Sequence, residues 1–214
     1  LGVDTLVVDH HELEANRRPP ATAFLNPLNP ESDYPGIGLA SVGVAFTLAR
    51  GFTGRLESVL EHLDLVALGT VADMVPLTGE NRVLVRTGLH ALAGTQKPGL
   101  KALLSQKNLS GQALTAEDIS FSLAPPLNAM GRMGSAEVSL QLLITEDPDQ
   151  ATQLVKVMDR ENRARRALER EGLALALSKV TREINFNEDR VIVLADERWH
   201  PGIIGILATR IMKR

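Results

Sequence analysis

A carboxylate and two imidazoles follow a short apolar run near the start of the chain. Asp9, His10 and His11 come directly after Leu6-Val7-Val8. Consecutive apolar residues, two of them β-branched, are typical of a buried strand, which we expect from Val3 to Val8. In open parallel sheets, ligands bind at the carboxyl ends of the strands, and imidazole with carboxylate suits Mn, Zn or Fe. The stretch therefore predicts a metal site; alternatively, one histidine caps the next loop and the other is solvated.

A second carboxylate lies in apolar surroundings. Asp73 ends the run Gly69-Thr70-Val71-Ala72 and is followed by Met74 and Val75. Burying a carboxylate among such residues is unfavourable unless something pairs with it, and a metal ion is a sufficient partner. The alternative is an aspartate that caps a helix or forms a turn.

Two prolines and two glycines bracket one Asn and one Arg later in the chain. The segment Leu123 to Gly134 contains Pro125-Pro126, Asn128, Gly131 and Arg132. This composition predicts a fixed loop that presents the two polar side chains. The planar guanidinium of Arg132 could clamp a phosphate, and Asn128 could hydrogen-bond a phosphate oxygen or a metal-bound water. The alternative is an ordinary turn between helices.

The only Trp of the chain lies beside a histidine, after a predicted strand over Arg190 to Leu194. The segment Trp199-His200-Pro201-Gly202 is followed by Gly205. Because glycine has no side chain, the free N–H groups at the start of the predicted helix would be accessible to an anion. Alternatively, Trp199 packs as a lid and His200 is its solvated neighbour.

Predicted helices and loops must position these residues. Asp147-Pro148 is expected to open a long helix, whose segment Lys156 to Arg170 is rich in basic residues. That helix presents either a phosphate-facing surface or a solvated face with Glu–Arg pairs. Other predicted elements are an ordered loop over Glu14 to Pro35, a helix start at Thr115, and helices over Gly38 to Ala49, Leu56 to Leu68, Asn81 to Ala93, Leu100 to Gln106 and Ser135 to Ile144.

Composition restricts the class of protein. The 214 residues are 44% hydrophobic but only 3% aromatic, which favours helices packed on a sheet. The absence of Cys excludes disulfides and Cys-ligated metal sites, and it fits a reducing compartment, so the cytoplasm is expected. A net charge of −3 argues against a uniformly basic nucleic-acid-binding surface. No apolar run reaches the roughly 20 residues that a membrane span needs.

Taken together and in order, the four motifs resemble those of the DHH/DHHA1 phosphoesterase family. Within that family they are most similar to the bacterial exonucleases specific for single-stranded DNA. The resemblance implies an α/β fold: a parallel-sheet DHH domain with flanking helices, of which residues 1–147 are the C-terminal part. It further implies a long connecting helix over 148–186 and the start of a second α/β domain, DHHA1, over 187–214.

The resemblance also implies roles for individual residues. His10 and Asp73 become ligands of Mn²⁺ or Mg²⁺, His11 lies beside the scissile phosphate, and Asp9 orients the histidine pair. Asn128, Arg132 and His200 match substrate-binding positions. The implied reaction is two-metal hydrolysis that releases nucleotides from the 5′ end of single-stranded DNA, in DNA repair and recombination. The implied partners are single-stranded DNA, single-stranded-DNA-binding protein and a helicase.

Further expectations concern the extent of the chain and alternative functions. The family's site also uses aspartates that would precede Leu1, and its DHHA1 domain contains a further motif. We therefore expect this chain to be a piece of a longer protein, to bind metal weakly and to be inactive alone. A phosphodiesterase of short oligonucleotides or cyclic dinucleotides is one alternative. A non-catalytic replication scaffold is another, which the presence of His10, His11 and Asp73 disfavours.

Overall fold

A computed structural model describes residues 2–12, 19–35 and 38–213. The chain divides into two compact units, Leu1–Gln96 with Leu103–Ala124, and Lys97–Ala102 with Pro125–Arg214. The elements in chain order are β1 (Leu6–Val8), β2 (Ala23–Leu25), α1 (Ser41–Thr53), α2 (Leu63–Ala72), α3 (Gly79–Ala93), α4 (Pro98–Gln106), α5 (Ala116–Asp118), α6 (Ala124–Met133), α7 (Glu137–Ile144), α8 (Pro148–Glu183) and α9 (Pro201–Met212).

The first unit contains a small parallel sheet. β1 pairs with β2 so that Leu6 lies opposite Ala23 and Val8 opposite Leu25. The Asp9 N–H continues the ladder to the Leu25 carbonyl oxygen, 3.0 Å away. Parallel strands and helices confirm the predicted α/β class.

Two predictions for this region are wrong. The strand does not start at Val3, which is 75% exposed, and β1 is only partly buried because β2 is its one neighbour in the described residues. The predicted loop from Glu14 to Pro35 contains β2, since pairing with β1 orders a segment whose own sequence is dominated by turn residues. Residues 14–18 of that predicted loop lie outside the described part of the chain.

Helix α2 forms the centre of the first unit. Apart from the buried Asp64 and Thr70 it is apolar, and Leu63, Val66, Ala67, Leu68 and Val71 are buried on its different faces. A helix of this kind is stable only when neighbours cover every side. Helices α1 and α3 provide two of those neighbours. The packing against α3 is close, because a Cβ atom on Gly88 would lie 2.3 Å from the Leu63 carbonyl oxygen.

The second unit is built on the 36-residue helix α8. The Asp147 carboxylate accepts a hydrogen bond from the Asp149 N–H at 2.8 Å, and Pro148 occupies the first turn. The predicted start of this helix is therefore confirmed. Helix α9 packs on α8 at Gly172, where a Cβ atom would lie 3.0 Å from Leu207.

A buried ion-pair network also joins α8 to α9. Glu169 is 5% exposed; its Oε2 lies 2.9 Å from Arg165 Nη1, and its Oε1 pairs with Arg210 of α9. Arg165 also donates to the side chain of the buried Asn162, through Nε at 3.3 Å and Nη2 at 3.2 Å. Paired charges of this kind tolerate burial, whereas a lone buried charge would not.

The predicted strand over Arg190 to Leu194 is not observed. Val191 is 72% exposed and Val193 is 79% exposed, and the segment has no strand partner within residues 2–12, 19–35 and 38–213. Its β-branched residues favour extended backbone, but a strand also requires a neighbour for its hydrogen bonds.

The predicted loop over Leu123 to Gly134 is also wrong, because α6 spans most of it. Pro125 and Pro126 lie in the first turn of α6 and cannot donate to carbonyls four residues earlier. A π-helical turn over Ile119–Leu123 comes just before them and is the kind of local adjustment that accommodates such missing donors. The proline pair therefore begins a helix here instead of excluding one.

None of the helices in the described residues is long and apolar enough to cross a membrane.

Candidate functional site

His10 and Asp73 lie close together in the first unit. His10 Nε2 is 3.1 Å from Asp73 Oδ2, and the His10 side chain is mostly buried. His10 follows β1, whereas Asp73 is the residue that ends α2. The structure thus brings together the two residues that the sequence analysis named as metal ligands.

The end of α2 fixes the position of Asp73. The Asp73 N–H donates to the Gly69 carbonyl oxygen at 3.0 Å, so the last helical turn is complete. Met74 then adopts a left-handed conformation, with φ of 59°, and the chain turns away from the helix. A Cβ atom on Gly69 would lie 2.9 Å from Val42, so a glycine is needed where α2 meets α1.

Asp9 and His11 form a second pair beside the first. His11 Nδ1 lies 2.8 Å from Asp9 Oδ1, and the His10 and His11 rings are 4.5 Å apart. Desolvation raises the pKa of Asp9, but hydrogen bonds from the His11 side chain and from the backbone N–H groups of His10 and His11 outweigh it, so the net pKa is lowered. The ionised carboxylate makes His11 Nδ1 the donor, which leaves Nε2 available on a side chain that is 77% exposed.

Asn26 supports this loop and was missed by the sequence analysis. Its buried side chain donates from Nδ2 to the His11 carbonyl oxygen at 2.9 Å and accepts the Leu28 N–H at Oδ1, 2.8 Å away. It lies just after β2, as Asp9 lies just after β1. The available signal was a polar residue between an apolar run and Pro27, which has the same form as the first motif.

The donor atoms suit a divalent cation but do not complete its coordination. Imidazole nitrogen and carboxylate oxygen are ligands that Mn²⁺ accepts, and Mg²⁺ accepts the carboxylate. No group of three or more His, Asp or Glu side chains able to hold a metal occurs within residues 2–12, 19–35 and 38–213. His10 and Asp73 therefore fit as two members of a larger ligand set.

The other predicted residues lie in the second unit. Asn128 and Arg132 are exposed and lie one turn apart on α6. Arg132 Nη1 donates to the Gly202 carbonyl oxygen at 3.4 Å, and a Cβ atom on Gly202 would lie 2.1 Å from the Arg132 carbonyl oxygen. The end of α6 therefore contacts the first turn of α9, and Gly202 is required for that contact.

His200 caps α9. Its Nδ1 accepts a hydrogen bond from the Gly202 N–H at 3.0 Å, in the manner of an Asn or Asp cap. The predicted free N–H at this position is therefore already bonded. The predicted alternative of a merely solvated His200 is also wrong, because the residue is partly buried and holds the helix start.

The loop before His200 is held by a charge cluster. Asp196 accepts two hydrogen bonds from the Arg198 guanidinium, at 2.7 and 2.8 Å, and lies 3.2 Å from Lys179 Nζ. The Arg198 hydrogen bonds hold the pKa of Asp196 well below its usual range. The Lys179 ammonium also lies 5.8 Å from the centre of the Trp199 ring. Lys179 is distant from this loop in the chain, so no local sequence pattern indicates its contact with Asp196.

Comparison with known proteins shows several that are similar to this chain. RecJ, the single-stranded-DNA-specific exonuclease, of Dickeya dadantii is 36% identical to this chain over 230 residues, covering 100% of the chain and 40% of that protein. RecJ of Bacillus subtilis is 37% identical over 214 residues, covering 100% of the chain and 27% of that protein. The crystal structure of Thermus thermophilus RecJ in complex with Mn²⁺ superposes with a TM-score of 0.84 at 36% identity, covering 99% of the chain and 31% of that structure.

The chain resembles RecJ along its whole length. The similarity confirms the relationship that the four motifs indicated, although no family model matches the chain. The chain spans 40% or less of the two RecJ proteins named here. The roles of individual site residues and the boundaries of the DHH and DHHA1 domains stay predictions.

The cap on α9 of this RecJ-like chain yields a test. Replacing His200 by Ala removes the side-chain acceptor of the Gly202 N–H, and we expect the free energy of unfolding to fall by about 1 kcal/mol. Replacing it by Asn keeps an acceptor and should preserve most of that stability. Urea unfolding followed by Trp199 fluorescence measures both variants in the second unit. Equal destabilisation by His200→Ala and His200→Asn would contradict the capping role.

Proposed function

We propose that this chain is part of a metal-dependent exonuclease that hydrolyses single-stranded DNA from the 5′ end, in DNA repair and recombination. The observation that carries the proposal is the approach of His10 Nε2 to Asp73 Oδ2, at 3.1 Å. It occurs in a chain that is similar throughout to RecJ, and the Thermus thermophilus relative binds Mn²⁺. The required cofactor is accordingly Mn²⁺ or Mg²⁺.

Each residue of the candidate site has a proposed role that follows from its contacts. His10 and Asp73 would hold the cation. When bound, the cation supplies Lewis-acid polarisation of the phosphodiester and neutralises its charge. Asp9 holds His11 through Nδ1, so that His11 Nε2 faces outward and can hydrogen-bond the scissile phosphate or exchange a proton there. This division of duties makes Asp9 a positioning residue.

The second unit would bind the DNA backbone. Arg132 is exposed, and its contact with the Gly202 carbonyl oxygen is long, so its guanidinium can turn to a phosphate. Asn128, one turn earlier on α6, and His200, at the start of α9, provide further polar contacts. Single-stranded-DNA-binding protein and a helicase are proposed partners by the resemblance alone. The cytoplasm is the proposed location because the chain contains no Cys.

The decisive experiment uses the protein at its natural full length with Mn²⁺. Substrates are a long 5′-phosphorylated single strand, the matching duplex and a dinucleotide. We expect stepwise loss from the 5′ end of the single strand, and we expect His11→Ala to reduce the rate by about 10²- to 10⁴-fold, the usual contribution of an acid–base residue.

Other outcomes identify other functions. Cleavage of the dinucleotide alone would establish a small-substrate phosphodiesterase. Binding of DNA without cleavage would establish a scaffold. His62→Ala is the matched control, because His62 is an exposed histidine whose Nε2 lies 3.8 Å from the neighbouring Glu61 and which belongs to none of the proposed metal or DNA residues. Its rate should equal that of the unsubstituted protein.

Metal affinity tests the ligand assignment separately. We expect His10→Ala and Asp73→Asn each to raise the Kd for Mn²⁺ by more than about tenfold. Asp9→Asn should raise it by about 10- to 100-fold at most, as loss of a residue that orients a metal site does. Calorimetric titration measures each Kd, with circular dichroism to confirm folding. An unchanged Kd for Asp73→Asn would remove Asp73 from the ligand set.

The phosphate contact of Arg132 predicts a change in salt dependence. Arg132→Ala should weaken binding of single-stranded DNA roughly tenfold, since a charged hydrogen bond contributes about 1.5–3 kcal/mol. The slope of log K against log salt concentration should fall in magnitude by about 0.7, which corresponds to one phosphate contact on a single strand. Fluorescence anisotropy at several salt concentrations measures both quantities.

A second exposed arginine serves as the control for the effect of Arg132→Ala on DNA binding. Arg163→Ala removes an exposed arginine whose guanidinium is already bonded to Asp159, with Nε 2.9 Å from Oδ2. Its salt slope should equal that of the unsubstituted protein. If Arg132→Ala and Arg163→Ala lower the salt slope equally, Arg132 contributes only net charge to DNA binding.

A further inference from the structure

A cavity of about 370 Å³ lies along α3 in the first unit, and it contains none of the proposed metal or substrate residues. Its floor is aliphatic and includes Leu77, Val85, Leu89 and Leu114. The volume lies within the range of about 300–1,000 Å³ that ligand pockets occupy. An apolar cavity of this size can hold a few side chains of a binding partner.

The cavity is bordered by a row of basic side chains. Arg82, Arg86 and His90 also line it, and they follow one another at intervals of four residues on α3. This spacing places them on one face of the helix, one above the other. All three are exposed, and their side chains make no ion pair or hydrogen bond within the described ranges 2–12, 19–35 and 38–213.

Several other arginines of the chain are instead bonded to carboxylates. Arg163, Arg165 and Arg198 all bind neighbouring carboxylates. By contrast, Arg82 and Arg86 are like charges one helical turn apart, an arrangement that slightly destabilises an isolated helix. A bound anionic group would convert that repulsion into attraction. The row therefore complements a ligand that carries several negative charges.

The aliphatic floor of the cavity favours an acidic peptide over a single-stranded nucleic acid as the anionic ligand. Single-stranded nucleic acids are held by aromatic side chains on which the bases stack, together with basic residues for the phosphates. The residues that line this cavity include no Phe, Tyr or Trp. Aliphatic floors instead accept aliphatic side chains of a peptide, as in helix-in-groove recognition.

We propose that this groove, defined by the row Arg82, Arg86 and His90 and the floor beside it, binds an acidic segment of a partner protein. Carboxylates of the segment pair with the row, while its aliphatic side chains enter the cavity. The proposal does not depend on the nuclease reaction, because it uses none of the residues assigned to metal or DNA.

A direct binding measurement tests the groove. The probe is a fluorescein-labelled ten-residue peptide that alternates Asp with Leu, titrated with the protein at its natural full length and read by fluorescence anisotropy. We expect saturable binding that Arg82→Glu combined with Arg86→Glu weakens at least tenfold. A peptide with Ser in place of Leu should bind at least tenfold more weakly, because it cannot fill the floor.

The chain offers a matched control for the double variant. Arg166 and Arg170 are also exposed, four residues apart and on a helix, so that Arg166→Glu with Arg170→Glu makes the same change of charge on α8. Binding of the Asp–Leu peptide to this control should change by less than twofold. Melting temperatures of both double variants verify folding, and Leu89→Asp tests the floor without changing the row.

Three results would overturn the proposal. The first is the absence of saturable binding of the Asp–Leu peptide to the unsubstituted protein. The second is equal weakening by the two double variants, which would reduce the effect to net charge. The third is a ten-nucleotide thymidine strand that displaces the peptide and loses its own affinity in the α3 double variant, which would make the groove a nucleic-acid site.

Discussion

The need to bury α2 on every side is the constraint on which the candidate metal site depends. An apolar helix of ten residues leaves no face for water, so α1 and α3 must pack on it. Gly69 and Gly88 are the positions where those neighbours come too close for a larger side chain. Once the helix is fixed in this way, the residue that caps its C-terminus is fixed too, and Asp73 lies beside His10.

Asp64 shows that a carboxylate on α2 need not bind a metal. It is 2% exposed, yet its Oδ1 accepts the Leu65 N–H at 2.7 Å and its Oδ2 accepts the Thr95 hydroxyl at 2.8 Å. These hydrogen bonds compensate for its desolvation. The side chain of Asp73 is instead 41% exposed and has His10 as its polar neighbour. Asp64 on α2 and Asp73 just after it thus have different hydrogen-bond partners, and of the two only Asp73 has an oxygen close to an imidazole.

The sequence was sufficient wherever one segment determines its own structure. The cap of Thr115 with Asp118 and the start of α8 at Asp147 both follow from neighbouring residues. It was insufficient where the structure of a segment depends on a residue that is distant in the chain. β2 forms because β1 pairs with it. Arg190 to Leu194 has no strand neighbour in the described residues, so it does not form a strand. The support that Asn26 gives to His11 requires β1 and β2 to lie side by side.

Charge illustrates the same limit, because the number of basic residues does not locate a binding surface. Helix α8 is rich in arginine and lysine, but Arg163, Arg165 and Lys179 are bonded to Asp159, Glu169 and Asp196. Only part of its positive charge, including the exposed Arg166 and Arg170, is therefore available to a new anion. Helix α3 has only Arg82, Arg86 and His90, and none of them has such a partner in the described part of the chain. A bonded guanidinium must first break its ion pair to bind a new anion, whereas an unpaired one need not. Composition reveals neither which cations are paired in the folded chain nor which of the unpaired ones lie beside an apolar cavity, as Arg82, Arg86 and His90 do.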